Sequence, residues 1–389
     1  MGVPSAKGLT MTTSSTGHSG PTRRTLLASL AGVGLAGLSG IPGLGGATRA
    51  EAAAALTNQQ LAGQRVISSY PGLTPPQSLF DDIRAGNTAG VIFFGENISG
   101  TSQIAGVVAQ LRQAQAQSPI QVPLLLMTDQ EGGLVRRLPG APTQSEKQIG
   151  KSANPTSAAS AAGTGAGQNL AGVGMNVNLA PVLDVYYKSG NFIDQYQRSY
   201  SNNPTVAATC GRAFITAQQA TGVAATAKHF PGLGSATKNQ NTDTGPVTLT
   251  ASLTKLRGTD EVPYPSAVAA GVKLVMLSWA VYTALDPHLP AGLSPTIIGQ
   301  ELRTNVGFTG VTITDAIEAG ALNAFGSTGQ RAVSAAGAGM DLILCSARNV
   351  TQAEAATSAL ATALGNGQLD PGAFNAAVNR VTALRAGLF

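Results

Sequence analysis

Eight short runs of apolar, β-prone residues recur along the chain and alternate with segments of helical spacing. Nearly continuous apolar strands separated by helices are typical of a parallel sheet that is covered on both faces. Eight such units predict an α/β fold, a single-domain (β/α)8 TIM-like barrel, for which about 250 residues are typical. A doubly wound open sheet is the alternative fold. The predicted strands are Arg65–Ser69, Gly90–Gly95, Pro123–Thr128, Asn176–Val182, Val223–Lys228, Lys273–Ser278, Gly310–Thr314 and Met340–Cys345.

The segments between these runs carry alanine, leucine, glutamine and arginine at helical spacing, as in Ser102–Ala116, Ser157–Leu170, Thr205–Ala220 and Ile297–Thr304. No internal repeat, no Pro/Ser linker and no break in composition follows Ala52. We therefore predict one barrel domain over residues 53–389.

The first 52 residues have the organisation of an export signal. Arg23 and Arg24 precede a charge-free stretch rich in glycine, alanine and leucine, and Ala50-Glu51-Ala52 fits a small-x-small cleavage site. Paired arginines in this position predict a twin-arginine-type signal peptide over residues 1–52, and hence a secreted or extracytoplasmic protein. The alternative is a membrane anchor, which the glycines and Pro42 disfavour because they weaken a spanning helix.

Net charge and the rarer residues exclude several classes of protein. Removal of residues 1–52 lowers the charge from +5 to about +2, so basicity gives no support to nucleic-acid binding. The chain has two cysteines, Cys210 and Cys345, which is too few for a disulfide framework. They are either small residues of the core or the partners of a single disulfide bridge. His229 and His288 lack metal-ligand spacing, so we predict neither a metal nor a cofactor. A monomer is the expected oligomeric state.

Polar residues gather where five of the predicted strands end, which is the place where (β/α)8 barrels carry their reactive groups. Carboxylates with cationic and aromatic neighbours suit a polyhydroxylated substrate, so a carbohydrate is the expected partner. No glycine-rich loop follows the first strand and no Gly-x-Ser-x-Gly elbow is present, which disfavours nucleotide binding and serine hydrolysis. The residues at these strand ends are Asp129, Glu131, Asp184, Arg198, Lys228, His229, Ser278, Trp279, Asp315 and Glu318.

Five of these segments resemble motifs of the bacterial β-N-acetylhexosaminidases of glycoside hydrolase family 3, and they occur in the order found in that family. Residues 128–137 resemble its Asp-Gln-Glu-Gly-Gly-Arg-Val-x-Arg segment, and residues 178–185 are similar to its fourth-strand signature. Residues 198–200 resemble its Arg-Ser-Phe. The fifth-strand motif is matched by Lys228-His229-Phe230-Pro231-Gly232, and the nucleophile strand is resembled by Gly310-Val311-Thr312-Ile313-Thr314-Asp315.

The resemblance implies a role for each matched residue. Asp315 would attack the anomeric carbon and form a glycosyl-enzyme intermediate, and nearby Lys228 and Arg137 would favour its ionised form. The sugar would be held by Asp129, Arg137, Arg198, Lys228 and His229. Other members of the family add a second α/β domain after the barrel, whereas this chain is expected to be of the one-domain type.

The loop after the fifth strand departs from the pattern of this family. Its single-domain hexosaminidases carry an Asp-Ser-His acid/base dyad after Lys-His-Phe-Pro-Gly-His-Gly, whereas Leu233 stands here at the second histidine of that motif. Without gaps, Asn239-Gln240-Asn241 align with the dyad, and a shift of two or three residues aligns Asp243-Thr244-Gly245 instead. Residues 234–245 contain no histidine. General acid–base catalysis contributes about 10²–10⁴-fold, so the chain must replace this group or be slow.

Asp243 is the leading substitute because it lies on the same loop, although a solvated turn residue is the alternative interpretation. Glu318 is expected in the first turn of a helix. Glu131 is expected to have a structural or hydroxyl-binding role. Trp279 is predicted as a sugar-binding residue that stacks on the substrate, with a core residue as the alternative. His288 is expected at the surface.

Three functions remain open. The first is an exported retaining exo-glycoside hydrolase that acts on cell-wall or environmental glycan, with Asp315 as nucleophile and Asp243 as a non-histidine acid/base. The second is a catalytically impaired barrel that binds glycan. The third is an enzyme that transfers the sugar to phosphate or to another acceptor.

Overall fold

The computed structural model of the protein describes residues 55–389. Eight parallel strands form a closed barrel, in which each strand pairs with its two neighbours in the chain and the last pairs with the first. This closing pair places Val66 beside Ile343. The strands are β1 Val66–Ser68, β2 Gly90–Ile92, β3 Leu125–Thr128, β4 Val177–Asn178, β5 Ala224–Phe230, β6 Leu274–Leu277, β7 Val311–Ala316 and β8 Leu342–Leu344. The predicted (β/α)8 barrel is confirmed, and every predicted run overlaps one strand.

Helices follow the strands along the chain. The α-helices are α1 Asn58–Gly63, α2 Gln77–Ala85, α3 Thr101–Gln115, α4 Glu146–Gly150, α5 Pro155–Gly172, α6 Phe192–Gln195, α7 Pro204–Gln219, α8 Leu253–Lys255, α9 Pro263–Ala269, α10 Thr328–Ala338, α11 Val350–Gly365 and α12 Pro371–Ala386. Short 3₁₀ helices span Gly95–Asn97, Ala291–Leu293 and Gly320–Phe325. Two segments are π-helices, Leu256–Asp260 and Thr296–Asn305, and the second occupies the place of the predicted helix Ile297–Thr304.

Local sequence explains where several helices begin. Helices α5, α7 and α12 each begin with a proline that follows an Asn or Asp cap, namely Asn154, Asn203 and Asp370. The cap side chain accepts a hydrogen bond from a first-turn amide, and proline at the first helical position loses no hydrogen bond there.

The apolar residues of the strands alternate between two layers. In β3, β6, β7 and β8, every second residue belongs to one buried cluster inside the barrel, for example Leu125 with Met127 and Val311 with Ile313. The intervening residues, such as Leu126 and Ile343, pack in the clusters beneath the helices. This division explains why the runs are continuously apolar, because both faces of each strand are buried.

Two small sheets extend the barrel at its loops. Gln130–Gly132 pairs with Val135–Arg136 after β3, and the strands Thr248–Leu249, Val281–Tyr282 and Asp286–Pro290 form a three-stranded sheet. His288 lies in the last of these strands and is exposed, as expected. Cys210 and Cys345 are buried free thiols, and burial raises the pKa of Cys210 to about 12.

Within residues 55–389, no helix has the length and apolar character that crossing a membrane requires. The predicted signal peptide, residues 1–52, lies outside the residues that the structure describes.

Candidate active site

A cavity of about 460 Å³ opens at the carboxyl ends of the barrel strands. Its floor includes apolar side chains of the barrel interior, among them Ile92, Leu179, Met276 and Leu344. Seven of the eight residues predicted for the site line the cavity: Asp129, Arg137, Arg198, Lys228, His229, Asp243 and Asp315. The strand ends therefore form one polar pocket, as the chain order of the motifs predicted.

Five charged residues, from β5 and from the loops after β3 and β4, form a continuous network at one side of the cavity. The Lys228 ammonium lies 2.7 Å from Asp129 Oδ1 and 2.8 Å from Glu131 Oε1. Arg198 donates two hydrogen bonds of 2.9 and 2.8 Å to the two carboxylate oxygens of Glu131. Arg137 approaches the other oxygen of Asp129 at 3.9 Å. The network fixes the loops after β3 and β4 against each other and against β5.

Electrostatics keeps this network ionised. Burial acts to raise the pKa of Glu131, but the charges and hydrogen bonds of Arg198 and Lys228 outweigh it and lower that pKa to about 2. For Lys228, burial lowers the pKa while Asp129 and Glu131 raise it, and the net direction is upward. Since Glu131 is only 1% exposed, the structure supports the structural role expected for it over direct contact with substrate.

A second buried carboxyl group, Glu146, lies near this network and was not identified from the sequence. Burial, followed by the negative charge of Glu131, raises the pKa of Glu146 well above its ordinary value. Its Oε1 accepts a hydrogen bond of 2.8 Å from the amide of Val182, while Oε2 has no partner among the described residues. Glu146 is therefore the neutral member of the buried pair, which avoids repulsion with ionised Glu131.

His229 is oriented by Asp184, a carboxylate with no exposed surface. Asp184 Oδ2 lies 2.8 Å from His229 Nδ1, and Asp184 Oδ1 accepts a hydrogen bond of 2.7 Å from the amide of Leu233. On the other side of the ring, Arg198 lies 3.5 Å from Nε2. Because arginine can only donate, this arrangement assigns the proton of the neutral imidazole to Nδ1 and leaves Nε2 as an acceptor at the cavity.

Asp315 lies near the end of β7 and is partly exposed to the cavity. The register of β7 against β8 shifts between Ile313 and Ala316, which is the stretch that contains Asp315. A shift of this kind changes the direction of a side chain and is common beside active sites. One Asp315 oxygen accepts a hydrogen bond of 2.8 Å from the amide of the next residue, Ala316, which orients the carboxylate.

Glu318 also lines the cavity, but it does not lie in a helix as expected. It occupies the turn after β7, and the next helix, a 3₁₀ segment, begins at Gly320. Its carboxylate accepts hydrogen bonds of 2.6 Å from the Ser346 hydroxyl and 3.1 Å from Gln352. Glu318 therefore ties the loop after β7 to the loop after β8.

Trp279 is the predicted site residue that the structure does not bring to the cavity. The residue is 1% exposed, and its indole Nε1 donates a hydrogen bond of 2.8 Å to the carbonyl oxygen of Ala316. The ring lies so close to Gly292 that a Cβ at that glycine would come within 2.5 Å of it. This placement corrects the stacking prediction: Trp279 packs behind the nucleophile strand, as the alternative of a core residue proposed.

Asp243 lines the cavity from the loop after β5, and part of the residue is exposed to solvent. Partial burial raises the pKa of its carboxyl group, and the Asp315 carboxylate raises it further, against the opposing effect of His229 and Arg198. Asp243 lies in a turn and lines the same cavity as Asp315, and its role as the acid/base stays a prediction.

The wall formed by the loops after β8 and β2 was not identified from the sequence. Arg348 lies with its guanidinium 4.6 Å from the centre of the Phe94 ring, and both residues line the cavity. The Arg348 backbone has φ of 57°, and its amide donates a hydrogen bond of 2.9 Å to the Ser69 hydroxyl. Arg348 lies just after the predicted strand Met340–Cys345 and Phe94 lies at the end of the predicted strand Gly90–Gly95, but neither belongs to a motif of the family.

A closed (β/α)8 barrel with carboxylates and cations in a cavity at its strand ends is an arrangement that suits glycoside hydrolysis. The family described as "Glycosyl hydrolase family 3 N terminal domain" matches residues 59–384. The chain belongs to glycoside hydrolase family 3, as the sequence motifs indicated.

Individual relatives agree with this assignment. An uncharacterized secreted glycosyl hydrolase of Arthroderma benhamiae is 47% identical over 88% of this chain and 97% of its own length. A family 3 β-N-acetylglucosaminidase of Paenibacillus superposes with a TM-score of 0.80 at 33% identity, over 86% of this chain and 63% of that one. A β-N-acetylhexosaminidase of Beutenbergia cavernae superposes with a TM-score of 0.76 at 32% identity, over 85% of this chain and 99% of that one.

Proposed function

We propose that the protein is an exported retaining exo-glycoside hydrolase that removes a terminal β-linked N-acetylhexosamine from a cell-wall or environmental glycan. The observation that carries the proposal is that Asp315 and Asp243 face the same cavity as the ionised network of Lys228, Arg198 and Asp129. The type of sugar is inferred from the names of the Paenibacillus and Beutenbergia cavernae proteins.

Asp315 acts as the nucleophile in the first step. One of its carboxylate oxygens forms a bond to the anomeric carbon while the bond from that carbon to the leaving oxygen breaks. Asp243, protonated at the start, transfers its proton to the leaving oxygen. In the second step a water molecule attacks the anomeric carbon, the Asp315 ester breaks, and Asp243 takes the proton from that water. Two displacements at one carbon give retention of configuration.

The electrostatic environments of the two carboxyl groups suit these two roles. Partial burial and, after it, the charge of Asp315 raise the pKa of Asp243, which favours the acid form that the first step needs. Lys228 and Arg198 bring positive charge to the cavity that Asp315 lines. Asp129, Arg137, Arg198, Lys228 and His229 are proposed to bind the hydroxyl and N-acyl groups of the sugar.

The proposed mature protein consists of residues 53–389, after removal of the twin-arginine-type signal over residues 1–52. The word "secreted" in the name of the Arthroderma benhamiae relative supports export. Replacement of Arg23 and Arg24 together by lysine is expected to leave the precursor in the cytoplasm, and the N-terminal sequence of the exported wild type is expected to begin at Ala53. Export that is unchanged by the double replacement would contradict the twin-arginine route.

Turnover of 4-nitrophenyl N-acetyl-β-D-glucosaminide by the purified protein tests the enzymatic proposal. Asp315→Asn is expected to lower kcat by about a thousandfold or more, the scale on which loss of a nucleophile acts. Asp81→Asn is the matched control, because Asp81 is an exposed carboxylate paired with Arg84 on α2. Glycan binding without turnover in the wild type would instead support a binding protein, the alternative favoured by the absent loop histidine.

The identity of the acid/base is tested by the leaving group of the substrate. Asp243→Ala is expected to lower turnover of a natural disaccharide by about 10²–10⁴-fold, because a sugar leaving group needs a proton. Turnover of the nitrophenyl substrate is expected to change far less, because its leaving group, nitrophenolate, is a weak base. Faster turnover with added phosphate, accompanied by a sugar phosphate product, would indicate the transferring variant instead.

A further inference from the structure

Two backbone hydrogen bonds join the loop after β5 directly to the segment after β7. The amide of Gly320 donates to the carbonyl oxygen of Asp243, and the amide of Ala321 donates to the carbonyl oxygen of Thr242, each over 2.9 Å. Both amides belong to the first turn of the 3₁₀ helix Gly320–Phe325, where backbone donors have no partner inside the helix. The contact therefore connects the segment that carries Asp243 to the segment that continues from Asp315.

Only glycine fits at position 320. A Cβ there would lie 2.5 Å from the backbone carbonyl carbon of Thr244 and 2.6 Å from its oxygen. Real Cβ atoms do not approach backbone atoms so closely, and neither segment has a flexible side chain at this point that could move aside. Any larger residue must push the Asp243 loop away from the segment after β7.

A second anchor lies within the loop itself. The Asn241 side-chain oxygen accepts a hydrogen bond of 2.9 Å from the amide of Asp243. The Asn241 backbone oxygen accepts from the amides of Thr244 and Gly245, each at 3.2 Å. Asparagine closes turns in this manner, so both peptide groups of Asp243 are held, its amide by Asn241 and its carbonyl by Gly320.

These hydrogen bonds, and not burial, set the position of the turn. Asp243 and Thr244 are exposed, and Thr242 alone among these three residues is buried. An exposed turn without such anchors is expected to sample several conformations.

We propose that Gly320 and Asn241 are positioning residues that hold Asp243 at a fixed distance from Asp315, so that the proton donor is in place before substrate binds. The proposal rests on the proposed role of Asp243 as the acid/base. In this arrangement the nucleophile and the proton donor form one rigid unit, since only four residues separate Asp315 from Gly320 in the chain. The protein thus places its acid without loop closure.

A series of aryl and alkyl N-acetyl-β-D-glucosaminides with graded leaving groups tests this arrangement. Gly320→Ala and Asn241→Ala are each expected to lower kcat/KM for the poorest leaving groups by about tenfold to a hundredfold, the cost of a small misplacement of a reacting group. Nitrophenyl turnover is expected to change by less than about twofold, because that leaving group needs little protonation. The basic limb of the pH profile is expected to move to lower pH, because an Asp243 displaced from Asp315 has a less elevated pKa.

Two variants on the same loop serve as matched controls. Gly245→Ala adds a Cβ that meets nothing within 4 Å, and Asn239→Ala removes an exposed amide that makes no side-chain hydrogen bond within the described chain. Both are expected to behave as wild type with every leaving group. Circular dichroism establishes that each variant is folded, and if Gly320→Ala does not fold, Asn241→Ala decides the question.

Asp243→Ala, measured on the same series, separates this proposal from the one on which it rests. If Asp243→Ala shows no dependence on the leaving group, the acid/base role fails and the positioning role fails with it. If Asp243→Ala slows turnover of poor leaving groups more than that of good ones, while Gly320→Ala and Asn241→Ala both behave like their controls, the positioning role alone is overturned.

Discussion

Arg198 and Glu131 form a two-pronged ion pair at the edge of the cavity, and Glu131 also accepts from Lys228. The Glu131 carboxylate is almost fully buried, so little water is available to solvate Arg198 and Lys228 if that carboxylate is removed. Glu131→Gln is therefore expected to lower the free energy of unfolding by about 3–5 kcal/mol, the usual cost of removing one partner from a buried pair. Urea denaturation followed by circular dichroism measures this change. Asp81→Asn, at the exposed ion pair with Arg84, is the control, and an equal effect in both variants would contradict the assignment.

The same ion pair predicts how the wild type responds to acid. Because the folded-state pKa of Glu131 is lowered from its ordinary value of 4.5 to about 2, the pair stabilises the protein above that ordinary value. This contribution is expected to be lost as the pH falls from 4.5 towards about 2, and the pH dependence should be weaker in Glu131→Gln.

Asp184 is expected to control the tautomer of His229. Asp184→Asn presents either an amide donor or a neutral acceptor to His229 Nδ1 and weakens the charge-assisted hydrogen bonds to His229 and Leu233. Such bonds contribute about 1.5–3 kcal/mol, which corresponds to a loss of about tenfold to a hundredfold in kcat/KM. His288→Gln, at an exposed position, should leave turnover unchanged. Full activity in Asp184→Asn would show that the orientation of His229 is set by other contacts.

Asp260 is expected to make stability depend on pH near neutrality. Burial raises its pKa from 3.8 to about 7, although a hydrogen bond from the Tyr187 hydroxyl opposes this shift. The folded state therefore favours the protonated Asp260. The stability that this group contributes is fully present below its ordinary pKa of 3.8 and is lost as the pH rises through about 7. Asp260→Asn cannot ionise, so its Tm should exceed that of the wild type at about pH 8 and match it at about pH 4. A lower Tm for Asp260→Asn at both pH values would contradict this interpretation.

Trp279 is the only tryptophan of the chain, so its fluorescence reports on one site. Because the residue is 1% exposed, acrylamide should quench the native protein weakly and the urea-unfolded protein strongly. Saturating N-acetylglucosamine should not change the native quenching, since the ring packs behind β7 and not on the cavity. Protection of the fluorescence by sugar would restore the stacking role.

The fold was predictable because the barrel leaves a strong pattern in the sequence. Both faces of strands such as β3 and β7 are buried, which produces continuous apolar runs, and chain order alone determines which strands are neighbours. The polar residues of the cavity follow from the same rule, since strand ends in a parallel barrel share one face.

The rest of the site depends on directions and partners that local sequence does not encode. The position of Trp279 at the end of β6 did not indicate that its indole turns towards Ala316. Glu318 was interpreted as a helical residue because its partners, Ser346 and Gln352, lie about thirty residues away in the chain. The contact between Asp243 and Gly320 joins two loops that share no motif, so only the folded structure reveals it.

Closure of the barrel between β1 and β8 has a consequence for biosynthesis. The cavity wall at Arg348 depends on a hydrogen bond to Ser69, a residue 279 positions earlier in the chain. A ribosome must therefore complete almost the whole polypeptide before this wall can form, and contacts of such long sequence separation form slowly. Until then the barrel cannot close between β1 and β8. If the proposed export acts on the folded chain, the cavity is complete before the enzyme leaves the cell.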